Sequence, residues 1–244
     1  MSALAHFIEE EGIAAVAIAL IRPQAEKTRP PRALWVPFEL GRPLGPPGDV
    51  AFQKRVLRAA LDLLVVPREQ GPVLLVDFPD DDPRDVADPA WRPPLTRSGG
   101  GDAPAELAAA LEAEMAQLAP AYAASCSARM RSTVGLSRLA PAAAGAYVAS
   151  WLRGTKPTDP PAADLSPILM LRFALDDMKA FYLEAALSGG GKPSSRQQAD
   201  WFYQATAAGA ALYALRGALL ASADDREKTA AAFVIPGVRV PPGG

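Results

Sequence analysis

The residues best placed to do chemistry are two arginines beside a rigid loop. Arg32 and Arg42 lie in the run Pro30-Pro-Arg-Ala-Leu-Trp-Val-Pro-Phe-Glu-Leu-Gly-Arg-Pro-Leu-Gly-Pro-Pro-Gly-Asp49, with Glu26 just before it and Gln53 just after. A guanidinium stays charged and presents a planar fork that matches a carboxylate. A short apolar strand that stops at a Pro/Gly loop and restarts as a helix is where α/β proteins hold ligands. Arg32, Arg42, Glu26 and Gln53 are therefore the expected substrate-binding residues for a small polar molecule bearing an amine or a carboxylate. The alternative for Arg42 is local pairing with Glu39 or Asp49, and Asp49 at the helix start disfavours an anion there.

Elsewhere the candidates are sparse. Cys126 is the one cysteine and the weak catalytic candidate; Arg129 and Arg131 follow it and would favour its thiolate if they faced it, whereas a buried structural cysteine is the plainer reading. Asp177 and Glu184, seven residues apart on one helix face, are the weak metal candidates, with Asp200, Gln204 and Trp201 able to meet them from the next helix. The plainer reading is a solvated stripe or a satisfied interhelical network. With one histidine, His6, on a helix, neither a Cys/His metal site nor a His-based triad is expected. Gly99-Gly-Gly101 and Ser188-Gly-Gly-Gly-Lys192 do not match a phosphate loop and follow no strand, so no cofactor is expected.

The elements that position these residues follow from periodicity. Ser2 opens a helix to about Glu11, and Ile13–Ile21 is an apolar run expected as a buried strand. Arg22 to Pro31 is expected as a loop, Ala33–Val36 as a second strand, and Val50–Leu64 as a helix capped by Asp49. Val73–Val76 is the third strand, and the alternation of strand and helix predicts a small parallel sheet with covering helices. The stretch 80–101 is polar and proline-rich and is expected as a linker or lid. From Asp102 the pattern is helical: one helix capped by Asp102 and running to about Ser127, with Leu107, Leu111, Met115 and Leu118 on a stripe, then Pro141–Leu152, then one from Asp164-Leu-Ser-Pro167 to Ser188. A longest fourth helix starts at the capping box Ser194-x-x-Gln197 and runs to about Ala223. Thr206 to Ser222 is nearly all apolar, but Arg216 in its middle would cost roughly 2.5–3.5 kcal/mol in a bilayer, so a buried bundle helix is expected and no membrane span.

The fold class is thus α/β plus α: a small α/β domain over 1–79, a linker or lid over 80–101, a mainly antiparallel helical bundle over 102–235 and a tail over 236–244. At 244 residues and 50% hydrophobic, the chain can bury a sizeable core. A net charge of −2 gives no footprint for nucleic acid or an anionic membrane. One cysteine excludes an internal disulfide, and with no basic, apolar leader the expected location is cytoplasmic.

Phe7-Ile-Glu-Glu-Glu-Gly-Ile13, Pro31-Arg-Ala-Leu34, Leu40-Gly-Arg-Pro-Leu-Gly45 and the helix carrying Gln53, Arg55 and Ala59-Ala-Leu61 are similar to the selenoprotein B family. These are the substrate-activating subunits of the glycine, sarcosine, betaine and D-proline reductases and their relatives. The resemblance covers the first third of the chain, and the Leu-Gly-x-Pro loop is its most specific part. The family's Cys/selenocysteine loop lies upstream of the helix that corresponds to Ala3–Glu11 and has no counterpart in this sequence. The resemblance therefore implies the fold and the substrate-side pocket of an oxidoreductase component, with the thiol or selenol supplied by a partner protein. The other expectation is a non-catalytic binding or assembly protein that forms a homo-oligomer or docks a partner through its bundle.

Overall fold

The structure is a computed structural model that describes residues 2–66, 74–83, 86–97, 100–159, 162 and 164–239. The chain separates into two compact units, Met1–Val86 and Ala87–Gly244. A small parallel sheet with helices forms the first, and helices alone form the second.

In the first unit, β1 (Ala17–Ala19), β2 (Arg32–Trp35) and β3 (Leu74–Asp77) lie in the order β1-β2-β3, all parallel. Ala17 pairs with Ala33, and Ala33 with Leu75. Helices α1 (Ser2–Glu10), α2 (Arg22–Thr28) and α3 (Val50–Asp62) connect and cover the strands. The expected buried strand Ile13–Ile21 shrinks to three half-buried residues, because β1 is an edge with only β2 to pair with, and Ile13 stays exposed. The expected loop 22–31 instead holds α2: Pro23 sits in its first turn, where a fixed φ suits a helix, and Arg29 in the left-handed region ends it. Val73, expected to open the third strand, lies outside the described residues. One core gathers Leu34, Val36, Phe52, Val56 and Leu63. At its centre the rings of Phe38, Phe52 and Phe78 meet edge-on or tilted, with centroids 5.4–5.9 Å apart, each pair adding about 0.5–1.5 kcal/mol beyond burial.

In the second unit, α4 (Pro104–Arg129), α5 (Pro141–Leu152), α6 (Pro167–Ala185), α7 (Ser195–Ala205), α8 (Ala207–Leu220) and the short α9 (Asp225–Ala230) share one apolar core. Leu107, Leu111, Met115 and Leu118 are buried on α4 as their spacing predicts. Asp102 does not cap α4; it pairs with Arg97 at 3.2 Å. Asp164 does not cap α6; it pairs with Arg138, and Ser166 takes the cap by accepting from Leu169 N. The expected long fourth helix breaks at Thr206, whose hydroxyl donates to Phe202 O (2.6 Å) and accepts from Gly209 N (3.0 Å). A side chain at Gly209 would meet Phe202 O at 2.3 Å, so only glycine lets the two helices turn this tightly.

The stretch expected as a linker or lid divides between the units. Trp91 and Leu95 are buried in the helical core; Trp91 Nε1 donates to Ala186 O (3.1 Å) and Trp201 Nε1 to Leu95 O (2.7 Å). Gln197 clamps this strap through both backbone groups of Asp88, instead of reaching back to complete the capping box. Ser98 and Gly99 lie outside the described residues. So do residues 240–244 of the expected tail, whose earlier part is held by Arg239, paired with Asp200 at 2.8 Å and stacked over Tyr203.

Gly45 marks where the first unit is tightest. Its φ is +84°, and a Cβ there would stand 2.4 Å from Phe52 Cε1 at the heart of the aromatic cluster. Gly45→Ala should lower stability by about 2–3 kcal/mol, from combined backbone strain and overpacking. Denaturant unfolding followed by near-UV circular dichroism should show the loss, and Gly41→Ala, with open space around it, should cost less.

Candidate functional site

The loop between β2 and α3 is three successive turns. Arg42 N donates to Glu39 O, Gly45 N to Arg42 O and Asp49 N to Pro46 O. Asp49 then caps α3, accepting from Phe52 N at 2.9 Å, and Gln53 Nε2 reaches back to Pro46 O at 2.8 Å. Arg42 pairs with Glu39 and, at 3.7 Å, with the buried Asp82; it does not take Asp49. Arg42 and Gln53 thus brace the loop from inside. The structure does not bring Arg32 and Glu26 to it. Arg32 is buried in an ion pair with Glu9 of α1 and donates to Val66 O, while Glu26 is exposed and holds Arg22 at 2.8 Å. The loop opens onto a hollow of about 480 Å³ walled by Pro46, Pro47, Gly48, Val50 and Pro83, whose charged side chain is Asp49.

In the helical unit, the two carboxylates read as weak metal candidates are filled by donors of the chain itself. Asp177 accepts from Gly135, Leu136 and Ser137 N (2.7–2.9 Å) and from Ser137 Oγ (2.5 Å). Glu184 accepts from Thr133 N and Oγ1, both at 2.7 Å. Burial pushes both carboxyls up, but these hydrogen bonds outweigh it and hold both below the usual carboxylate range. Their role is to pin the segment after α4 onto α6, and the oxygens of Asp177 and Glu184 that a metal ion would need are taken by those donors. Among the described residues, no three His, Cys, Asp or Glu side chains gather as ligands. Asp200, expected to meet them, is spent on Arg239.

Cys126 Sγ contacts Glu184 Oε2 at 3.6 Å, so the thiol belongs to the same pin. His6 is half-buried on α1. No helix among the described residues is long and apolar enough to cross a membrane. No family model, curated protein or solved structure matches this chain.

One buried group escaped the sequence reading. Glu114 accepts from Ala207 N on both oxygens, from Ala208 N at 3.3 Å and from Tyr182 Oη at 3.1 Å, and so caps α8 from within the core. Burial pushes its carboxyl up, partly offset by those donors; burial and the facing carboxylate push the Tyr182 hydroxyl well above its ordinary value. The signal was present: 107, 111, 114 and 118 is a core-facing repeat with one glutamate in it.

Because Asp177 and Glu184 titrate lower in the fold than in the unfolded chain, where a carboxyl has a pKa of about 4, their contribution is complete above that pH and lost as pH falls through the folded values. Asp177→Asn removes the charge and turns an amide N–H toward backbone donors. It should cost about 2–3 kcal/mol near pH 7. Unfolding measured from pH 7 down to pH 3 should show wild type and variant converging.

Proposed function

We propose that this chain is a binding component of selenoprotein B-related, reductase-like chemistry. Its loop Phe38–Asp49 holds a small polar substrate, and a thiol- or selenol-bearing partner protein supplies the reducing group. The observation that carries this reading is a loop fixed at every turn, seated on an aromatic cluster and opening onto a hollow beside a helix start. Such preorganisation lowers the ordering cost of binding. Of the two expected substrate classes, amine and carboxylate, the hollow favours the amine. Arg42 is already matched by Glu39 and Asp82, and Asp49 is the charged group on the lining. Cys126 belongs to the other unit and is engaged with Glu184, in keeping with a reducing group brought by a partner.

Asparagine caps a helix as well as aspartate does, so Asp49→Asn removes the charge and keeps the fold. Calorimetric titration with glycinamide, an amine without a carboxylate, should show binding that weakens about tenfold in this variant, the worth of one charge-assisted contact. Acetate should not compete. Equal binding of glycinamide by both proteins, or acetate binding instead, would remove the amine site.

A separate observation favours the second reading, an assembly protein, and moves its docking face from the bundle to the small unit. Leu57, Leu61 and Val65 follow at four-residue spacing along α3 and the turn after it, 41%, 57% and 82% exposed. An apolar stripe of this kind marks an interface. On this reading the native chain sediments as an oligomer, or copurifies in stoichiometric amount with a partner, and the double variant Leu57→Glu/Leu61→Glu sediments as a lone monomer. A wild-type chain that is already monomeric and partnerless in native extract sinks it.

A further inference from the structure

We propose that the helical unit carries a small-molecule site of its own, independent of the loop reading. It is a cleft of about 550 Å³ where the end of α5 meets the starts of α6 and α9. Its ligand has a flat apolar body and one anionic group, as in an aromatic carboxylate.

The lining selects for this chemistry. Pro157, Pro167 and Ile168 form an apolar wall, with Trp151, 5% exposed, packed behind it. The wall is rigid: Tyr147 Oη donates to Pro167 O at 3.0 Å, tying α5 to the start of α6. Lys156 is not available to a ligand. Its ammonium bonds both oxygens of Glu227, at 2.8 and 2.6 Å, and stands 5.4 Å from the Trp151 ring centroid. Asp224 is likewise occupied, capping α9 through Arg226 N at 2.8 Å. The Arg226 guanidinium is different. It is exposed at the rim and, among the described residues, its side chain has no ion-pair partner.

The ion pairs narrow the ligand class. Lys156 pairs with Glu227 and one oxygen of Asp224 caps α9, which leaves Arg226 as the cation at the cleft without an ion-pair partner among the described residues. A flat apolar body lies on the wall of Pro157, Pro167 and Ile168, and one carboxylate or phosphate completes Arg226 in the planar, bidentate geometry that arginine prefers. A polyanion would meet Asp224 and Glu227, and a cation would meet Arg226. The size lies within the usual range of small-molecule sites, roughly 300–1,000 Å³.

Calorimetry on the full chain with 3-phenylpropionate and its neutral isostere 3-phenylpropanamide tests the site. The acid should bind at least about tenfold tighter than the amide, the worth of one charge-assisted arginine contact. Arg226→Ala, at an exposed position, should abolish that preference and leave the weak amide binding unchanged. Amide-proton shifts should centre on residues 156–158 and 166–168. The proposal is overturned by no acid binding at millimolar concentration, by a preference that survives Arg226→Ala, or by shifts centred on residues 46–50, which would put the ligand in the loop hollow.

Discussion

The helical unit depends on carboxylates that accept from main-chain N–H groups. A buried N–H without an acceptor costs as much as a lost hydrogen bond. The start of α8 presents such groups away from water, and the segment 133–137 between α4 and α5 presents a row of them at the edge of the core. Asp177, Glu184 and Glu114 satisfy them. Each carboxylate is itself costly to bury, so it persists only where the donors are many and close. Asp177, with four donors within 3 Å, ends below its ordinary pKa, whereas Glu114, two of whose contacts stretch to 3.1 and 3.3 Å, ends above it. The helices supply apolar area, and these three groups decide where their connections lie.

In the small unit the buried carboxylates face arginines instead. Glu9 pairs with Arg32, and the buried Asp82 shares Arg42 with Glu39. This is why guanidinium forks that look poised for a ligand in the sequence are committed to the fold. What they leave is shape: a loop with three turns, a glycine against Phe52 and a carboxylate at its end.

Local signals were legible in the sequence and long-range ones were not. The span of α5, the Asp49 cap and the leucine stripe of α4 follow from Pro at a first turn, from a short acceptor side chain and from helical spacing, all within a few residues. The break at Thr206 depends on Glu114 and on a close approach to Phe202, so an unbroken apolar pattern concealed it. Trp91 and Leu95 were hidden among prolines and charges, because a strap held by two side chains leaves no periodic trace. For the candidate site, the loop was visible but its economy of charge was not: residue type nominated Arg32, Arg42, Asp177 and Glu184, and only their partners show that they are spent.

Glu114 also sets an order of events. It lies 93 residues before the first N–H group it caps, and the hydroxyl of Thr206 at the corner between α7 and α8 serves Gly209 N, leaving Ala207 N and Ala208 N to Glu114. On a chain emerging from the ribosome, α4 is already out when that corner appears, and the carboxylate is waiting for it. The C-terminal helices made without α4 would leave two main-chain donors facing an apolar interior. The corner is therefore a late, long-range event in folding, of the kind that loop closure makes slow, and the helical unit is completed only when its last third returns to its first helix.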